Sequence, residues 1–217
     1  MNVIAFNGSP RHNGTTATLL NKALEGAASR GAKTEIIQLS QLKMKGCQAC
    51  YSCKKRGGRS YGKCALRDDM TPLYAKIEDA DAVFLGSPIY FGTVTSGTKM
   101  FIERLFPYFS YKTYSSNFPK KIPVGLVVTM GVNDQEMEGV FRQHIQLNQG
   151  VLWMLLGPTE VLVSTDTLHV ENYSEIVADA LEPRIGQKLE HQRKVLPLDC
   201  EKAFEMGARF AGRGGSP

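Results

Sequence analysis

Residues 2–16 read NVIAFNGSPRHNGTT, an apolar strand pattern followed at once by a polar loop. We predict that the strand ends at Phe6 and that a helix begins at about Thr15. The loop between them supplies hydroxyl, amide and guanidinium groups, on the side chains of Ser9, Arg11, Asn13, Thr15 and Thr16. N–H groups at the start of a helix and the positive end of its dipole favour an anion. This strand–loop–helix unit therefore predicts a monophosphate site, in which Asn13 also caps the helix.

The rest of the chain alternates apolar strand patterns with helical ones. We expect strands at about 2–6, 34–39, 82–85, 124–129 and 159–164. Helices are expected at about 15–29, from Asp68-Asp69-Met70 to Glu78, and at about 96–106, 135–156 and 173–210. This order indicates an α/β domain, a three-layer sandwich with a five-stranded parallel sheet in the order 2-1-3-4-5 and helices on both faces. Ligands bind such sheets at the carboxyl ends of the strands, where the strand order reverses, so the loops after strands one and three should meet there.

The loop after the third strand reads GSPIYFG over residues 86–92. We expect Pro88 to fix a turn at the end of the strand and Gly92 to permit close approach of a ligand. The apolar and aromatic side chains of this loop would face a flat ring, and a third loop at residues 129–133 would reach the edge of that ring. Together with the first loop, these segments predict a site for flavin mononucleotide (FMN) that includes Ser87, Pro88, Ile89, Tyr90, Phe91, Gly92, Thr129 and Gly131.

Two other nucleotide sites lack the residues that they require. A P-loop that hydrolyses NTPs needs Gly-Lys-Ser/Thr, and this tripeptide is absent from the sequence. A dinucleotide fingerprint needs G-x-G-x-x-G and an acidic residue at the end of strand two, where the chain has Ile37-Gln38-Leu39-Ser40. A hydroxyl-rich cradle for a monophosphate is the interpretation that remains.

The length and hydropathy of the chain limit its organisation. A chain of 217 residues fits one well-buried domain, which we place at residues 1–211, followed by a flexible tail at residues 212–217. No basic and apolar leader precedes the first strand, so we expect a cytoplasmic protein. The longest apolar run, residues 151–156, is far shorter than the roughly 20 residues that span a bilayer. We therefore expect a buried helix segment there and no membrane partner.

The positive charge is concentrated in one segment. Residues 43–67 contain eight basic residues and no acidic ones, whereas the rest of the chain has 18 basic and 21 acidic residues. The segment is either a solvated loop or a docking face for an anionic partner, such as an acidic electron-carrier protein or the phosphates of a pyridine nucleotide. Nucleic acid is disfavoured, because the segment has no helical stripe and few stacking aromatic residues.

Four cysteines, Cys47, Cys50, Cys53 and Cys64, lie within residues 44–67, a segment that we call the cysteine loop. Three thiols at C-x2-C-x2-C can wrap one face of an iron–sulfur cubane, and a fourth can close the site. Zinc more often uses two separated C-x2-C pairs, and structural disulfides are rare in a reducing compartment. The spacing is that of a metal or cluster ligand set, and a four-iron four-sulfur cluster, zinc and free thiols are the alternatives.

Several motifs occur in order within residues 1–129. They are Gly8-Ser9-Pro10-Arg11, Asn13-Gly14-Thr15-Thr16, Cys47-x2-Cys50-x2-Cys53, Asp68-Asp69-Met70, the loop at 86–92 and Lys99-x-Phe101-Ile102-Glu103-Arg104. This combination resembles the NADPH-dependent FMN reductase family, and more narrowly its iron–sulfur flavoprotein branch. The resemblance implies a flavodoxin-like fold, noncovalent FMN, and a homodimer or homotetramer with FMN sites near the subunit contacts. In that branch a C-x2-C-x2-C-x(4–7)-C set holds the cluster, whereas the last gap here is ten residues.

These observations lead to three hypotheses about function. The first is an FMN-dependent oxidoreductase that moves electrons from NAD(P)H to a small acceptor. The flavin would do the chemistry, and no side-chain acid or base is required. The second is an electron carrier or redox sensor without a substrate of its own, which docks partners through Lys54, Lys55, Arg56 and Arg59. The third is a zinc-binding or metal-storage module on the same fold.

Overall fold

The computed structural model describes residues 1–212, and a parallel sheet forms its centre. Its five strands are β1 (Asn2–Asn7), β2 (Lys33–Gln38), β3 (Ala82–Tyr90), β7 (Val124–Thr129) and β8 (Thr159–Ser164). The short strand β4 (Thr93–Val94) pairs antiparallel with the end of β3, and β5 (Phe109–Ser110) forms a separate hairpin with β6 (Ser115–Ser116). The parallel strands lie in the order β2-β1-β3-β7-β8, which confirms the predicted order.

Helices connect the strands and cover both faces of the sheet. They are α1 (Thr15–Ala28), α2 (Thr71–Asp79), α3 (Ser96–Arg104), α4 (Asp134–Glu136), α5 (Arg142–Leu155), α6 (Glu182–Lys194) and α7 (Leu196–Gly212). A π-helical turn, Met137–Phe141, joins α4 to α5. Short 3-10 helices cover Leu39–Gln41, Phe106–Tyr108, Tyr173–Glu175 and Asp179–Leu181.

Two hydrophobic cores confirm the three-layer arrangement. One core joins the sheet to α2, α3 and α5, and the other joins it to α1 and α7. Helices α1 and α7 pack unusually closely, since a Cβ added at Gly26 would lie 1.9 Å from the carbonyl oxygen of Phe204. A Cβ at Gly207 would lie 1.8 Å from the carbonyl oxygen of Ala23. Glycine at these two positions lets the C-terminal helix seal the second core.

Strand β3 differs from its predicted end. Instead of turning at Gly86-Ser87-Pro88, it continues to Tyr90, and Pro88 pairs in register with Thr129 of β7. The neighbour β1 ends opposite Gly86, so Pro88 lies beyond it, where a residue without an N–H is tolerated. The turn comes at Phe91 (φ +48°) and Gly92 (φ +90°), as in the two-residue hairpins that favour positive φ.

The apolar run at residues 151–156 is only partly buried. Leu152, Leu155 and Leu156 face the core, whereas 58% of the surface of Trp153 is exposed. The expectation of a buried segment was therefore wrong for half of this run, because the helix is amphipathic. No helix in residues 1–212 is long and apolar enough to cross a membrane. The predicted tail at 212–217 lies outside the described residues except for Gly212, which ends α7.

Candidate functional site

A cavity with a volume of about 520 Å³ lies at the carboxyl edge of the sheet. It opens between the loops that follow β1, β3, β7 and β8, at the point where the strand order reverses. Ten of the thirteen predicted FMN-site residues line it: Ser9, Arg11, Asn13, Thr15, Thr16, Pro88, Ile89, Tyr90, Thr129 and Gly131. Loops that are far apart in sequence thus meet around one space of the size that small-molecule sites commonly have.

The first turn of α1 opens into this cavity without a cap. Helix α1 has Gly14 at its N-cap, and no side chain among residues 1–212 caps it. The predicted cap by Asn13 was therefore wrong, because Asn13 lies one residue too early, although it still lines the cavity. The first N–H groups of a helix lack partners within the helix, so these donors are available to a phosphate.

Strand β1 and its neighbours fix the shape of the first loop. The buried Asn7 accepts a hydrogen bond from the Ser9 N–H at 3.0 Å, and the Ser9 hydroxyl accepts one from the Arg11 N–H at 3.1 Å. The Gly8 N–H donates to the Gly86 carbonyl at 2.8 Å, which ties the loop to β3. A Cβ at Gly8 would lie 1.8 Å from the Thr98 hydroxyl, so this close approach requires glycine.

A buried pair of hydroxyls joins two walls of the cavity. Thr16 at the start of α1 and Thr129 at the end of β7 place their Oγ1 atoms 2.7 Å apart. Both side chains are almost fully buried, at 2% and 3% exposure. The pair therefore holds the start of α1, and the loop before it, against the loop that follows β7.

Three predicted residues do not line the cavity. Ser87 is fully buried, where its hydroxyl accepts a hydrogen bond from the Thr95 N–H and donates to the Pro88 carbonyl. Phe91 and Gly92 form the tip of the β3–β4 hairpin, and the Phe91 side chain is fully exposed. From this segment, Pro88, Ile89 and Tyr90 line the cavity instead.

The loop after β8 also lines the cavity, and the sequence patterns did not predict it. Residues 167–171 contribute one wall, and a Cβ at Gly131 would lie 2.5 Å from the Nε2 atom of His169. Burial lowers the pKa of His169, and the nearby charges of Lys188 and Arg11 lower it further. The rule that ligands bind at the carboxyl ends of strands could have indicated this loop.

A buried lysine connects the last two loops of the site. Lys188 of α6 is fully buried, and its ammonium donates to the Gly131 carbonyl and lies 3.5 Å from Asp166. Burial lowers the pKa of Lys188, and Asp166 opposes this effect. Arg184 extends the network to Glu136 at 2.9 Å. No local pattern in the sequence marks Lys188, since its partners lie 22 and 57 residues away.

The four predicted metal ligands line one small cavity, separate from the one at the sheet edge. Cys47, Cys50, Cys53 and Cys64 surround it together with Arg104, and all four are free thiols. Between the first three, Ala49 (φ +49°) and Tyr51 (φ +55°) adopt left-handed backbone conformations that are uncommon for residues other than glycine. Such conformations concentrate at functional sites. Within residues 1–212, no three His, Cys, Asp or Glu side chains are grouped to hold a single metal ion.

A buried ion pair anchors both ends of the cysteine loop. Arg104 of α3 is 1% exposed, and its guanidinium binds the Asp68 carboxylate at 2.6 and 3.1 Å and the Lys45 carbonyl at 2.8 Å. The Lys45 N–H also donates to Asp68 at 3.2 Å. Burial pushes the pKa of Asp68 upward, but the hydrogen bonds from Arg104 and the Lys45 backbone outweigh it and leave that pKa lowered. Residues 45 and 68, which flank all four cysteines, are thus held at one point.

The thiols lie in a mixed electrostatic environment. Burial raises the pKa of Cys53, and the neighbouring ammonium of Lys54 opposes this effect. Hydrogen bonding from Ser52 lowers the pKa of the exposed Cys50. Arg104 lines the same cavity, and its buried Nε atom has no hydrogen-bond partner among the described residues. A donor of this kind beside sulfur ligands fits a group that bears negative charge.

A parallel sheet in this order, with a ligand cavity at its switch point, defines the flavodoxin-like fold. The sequence matches the family model of NADPH-dependent FMN reductases over residues 1–167. The chain therefore belongs to the NADPH-dependent FMN reductase family, a family of oxidoreductases, as its motifs predicted.

Curated relatives support this assignment. The chain is 34% identical over 152 residues to an iron–sulfur flavoprotein of Archaeoglobus fulgidus. The aligned region covers 70% of this chain and 65% of that protein. The chain is 39% identical over 107 residues to an iron–sulfur flavoprotein of Methanocaldococcus jannaschii, covering 49% of this chain and 53% of that one. The chain thus spans about half to two thirds of the length of these relatives.

Two solved structures share the fold at low sequence identity. The NAD(P)H:quinone oxidoreductase from Methanothermobacter marburgensis superposes with a TM-score of 0.69 at 13% identity and covers 96% of each chain. An FMN-dependent NADH-azoreductase from Bacillus anthracis, solved in complex with FMN, gives a TM-score of 0.63 at 13% identity. It covers 97% of this chain and 100% of the azoreductase.

Proposed function

We propose that this protein is an FMN-dependent oxidoreductase that takes electrons from NAD(P)H and passes them to a small acceptor such as a quinone or a free flavin. The observation that carries the proposal is the uncapped start of α1, which opens into a cavity of about 520 Å³ at the switch point of the sheet. Membership of the NADPH-dependent FMN reductase family supports the same conclusion.

The residues around the cavity fit the two ends of FMN. The N–H groups and hydroxyls of Thr15 and Thr16, with the guanidinium of Arg11, match a phosphate dianion. Ile89 and Tyr90 offer an apolar wall for a flat ring, and Thr129 and Gly131 lie at another edge of the space. Bound FMN would supply hydride acceptance and electron transfer.

The protein residues would bind and orient the cofactor. The Thr16–Thr129 hydroxyl pair keeps the phosphate loop and the loop after β7 in register. The Lys188 ammonium donates a hydrogen bond to the Gly131 carbonyl. The backbone that would lie at the edge of the ring is therefore fixed before the cofactor binds. His169 lies beside Gly131, and burial lowers the pKa of its imidazole.

The cysteine loop would hold a four-iron four-sulfur cluster, which supplies one-electron transfer. The four thiols line one cavity together with Arg104, whose buried Nε atom has no hydrogen-bond partner among the described residues. The relatives named iron–sulfur flavoprotein favour this ligand over zinc. The ten-residue gap before Cys64 is accommodated because Asp68 and Arg104 tie the end of the loop back to Lys45.

The second candidate is an electron carrier without a substrate of its own. It is favoured by Lys55, Arg56 and Arg59, exposed residues of the cysteine loop that have no acidic partner in the part of the chain described. An acidic carrier protein would find complementary charge there. A homodimer or homotetramer is expected in either case.

An absorption spectrum of anaerobically purified protein, combined with a turnover assay, tests both candidates. We expect two resolved flavin bands, broad visible absorbance from the cluster that bleaches on reduction, and steady NADPH oxidation with menadione as acceptor. Bound flavin without NAD(P)H turnover would favour the electron carrier. Protein that fails to take up FMN on reconstitution would overturn the proposal.

A further inference from the structure

A second cavity, of about 610 Å³, lies beside the cysteine loop. One wall belongs to that loop and the other to the β5–β6 hairpin and the residues around it, namely Phe109, Ser110, Tyr111, Lys112 and Asn117. Among the described residues it shares no lining side chain with the cavity at the sheet edge. Its volume falls in the range of small-molecule sites.

The charge of this cavity is positive and uncompensated. Lys54, Arg56 and Lys112 line it, and none of the described residues that line it is acidic. Lys54 is fixed in place because its ammonium donates to the carbonyls of Phe106, Pro107 and Phe109. Arg56 and Lys112 are exposed and have no ion-pair partner within residues 1–212. Two free cations around one concave space favour an anionic occupant.

Aromatic side chains form the rest of the wall. Phe109 and Tyr111 meet edge to face, with ring centroids 5.5 Å apart, and Tyr61 closes the opposite side. Tyr111 also stacks on Tyr51 of the cysteine loop at 6.3 Å, which joins the hairpin to that loop. Aromatic faces and edges bind flat rings, whereas the cations at the rim select for charge.

Cys53 connects this space to the proposed cluster. It lines both the second cavity and the cavity that holds the four thiols. An occupant of the second cavity would therefore lie next to a ligand of the cluster and away from the FMN site.

We propose that the second cavity binds a planar aromatic anion, a ring system that carries sulfonate, carboxylate or phosphate groups, and that this ring would accept one electron from the reduced cluster of the cysteine loop, which would be oxidised in the same step. The redox role rests on the proposed function, whereas the binding itself does not. Neutral ring compounds would lack the charge attraction of Arg56 and Lys112 and would bind there more weakly.

Calorimetric titration of the FMN-loaded full chain with anthraquinone-2,6-disulfonate tests the proposal. We expect Arg56→Gln/Lys112→Gln to weaken binding by about 5- to 30-fold, because two exposed charge contacts are lost. The control Lys55→Gln/Lys63→Gln removes the same charge from exposed positions of the cysteine loop that do not line the cavity. It should change the affinity by less than about 2-fold, because solvent and salt screen charges at these positions. Tyr61→Leu should also weaken binding, whereas Tyr90→Leu, in the first cavity, should not.

Four outcomes would overturn the proposal. The first two are equal weakening of binding by the two double variants and unchanged affinity in Arg56→Gln/Lys112→Gln. The third is a loss of affinity in Tyr90→Leu but not in Tyr61→Leu. The fourth is a changed oligomeric state in Arg56→Gln/Lys112→Gln, which would make the cavity a subunit contact. FMN and iron contents are measured on every variant. Failure of this proposal with both contents intact is thereby distinguished from failure of the proposed function.

Discussion

Replacing Asp68 by Asn should destabilise the protein and loosen the cysteine loop. Asp68 is the only carboxylate among the described residues that pairs with the buried Arg104, which it binds through two hydrogen bonds of 2.6 and 3.1 Å. Breaking a buried ion pair by removing one partner costs about 3–5 kcal/mol, because the other charge stays buried. Asn keeps one acceptor oxygen, so we expect the free energy of unfolding to fall by about 3 kcal/mol, the low end of this range.

This loss converts into a measurable shift in melting temperature. A chain of 217 residues has an unfolding entropy of about 0.46 kcal/mol/K, from about 2.1 cal/mol/K per residue. The Asp68→Asn variant should therefore melt about 6–7 °C below the unmodified protein, measured by circular dichroism at pH 7 with saturating FMN. The control Glu35→Gln breaks an exposed pair with Lys76 and should lower the melting temperature by about 2 °C or less.

The pH dependence gives an independent check on the same ion pair. The pKa of Asp68 is lowered in the folded protein, so its stabilising effect is fully present above its unfolded pKa, about 3.9, and is lost as the pH falls through the lower folded value. The difference in stability between the unmodified protein and Asp68→Asn should thus be constant at neutral pH and shrink below about pH 4. A melting temperature within about 2 °C of the unmodified protein at pH 7 would refute the reasoning.

Three further predictions concern the two sites. Arg11→Ala should raise the Kd for FMN by about 10- to 100-fold, since it removes a charged partner of the phosphate, as measured by quenching of flavin fluorescence. Unchanged affinity would contradict the phosphate assignment. Lys188→Met should cost about 3 kcal/mol or more by leaving Asp166 and the Gly131 carbonyl without their buried cation, and adding Asp166→Asn should recover part of the loss in thermal unfolding. Cys64→Ser should lower the iron content while the FMN content stays constant, and equal iron in both proteins would remove Cys64 from the ligand set.

Local sequence patterns were sufficient for the sheet and for most of the candidate site. The five parallel strands agree with the apolar runs to within one or two residues except at the end of β3, because burial on both faces requires continuous apolar side chains. The strand–loop–helix pattern at residues 2–16 located the first loop of the cavity, and the binding of a phosphate there stays a prediction. The order of motifs also identified the family correctly.

The errors arose where a neighbour distant in sequence decides the local structure. Pro88 reads as the end of a strand, but pairing with β7 carries β3 on to Tyr90. Ser87 reads as a ligand of the cofactor, but Thr95 and Pro88 occupy its hydroxyl. A single sequence does not contain these pairings, because they depend on which strands and loops come together.

The sequence by itself determined the α/β class, the strand order and the two sets of groups, polar and thiol, that line the cavities. Only the tertiary structure decided that Lys188 supports Gly131, that Arg104 binds Asp68, and that the loop after β8 lines the cavity. The physical reason is that patterns of apolarity and helix signals act over a few residues, whereas a buried charge is stabilised by whichever partner the packed chain brings to it.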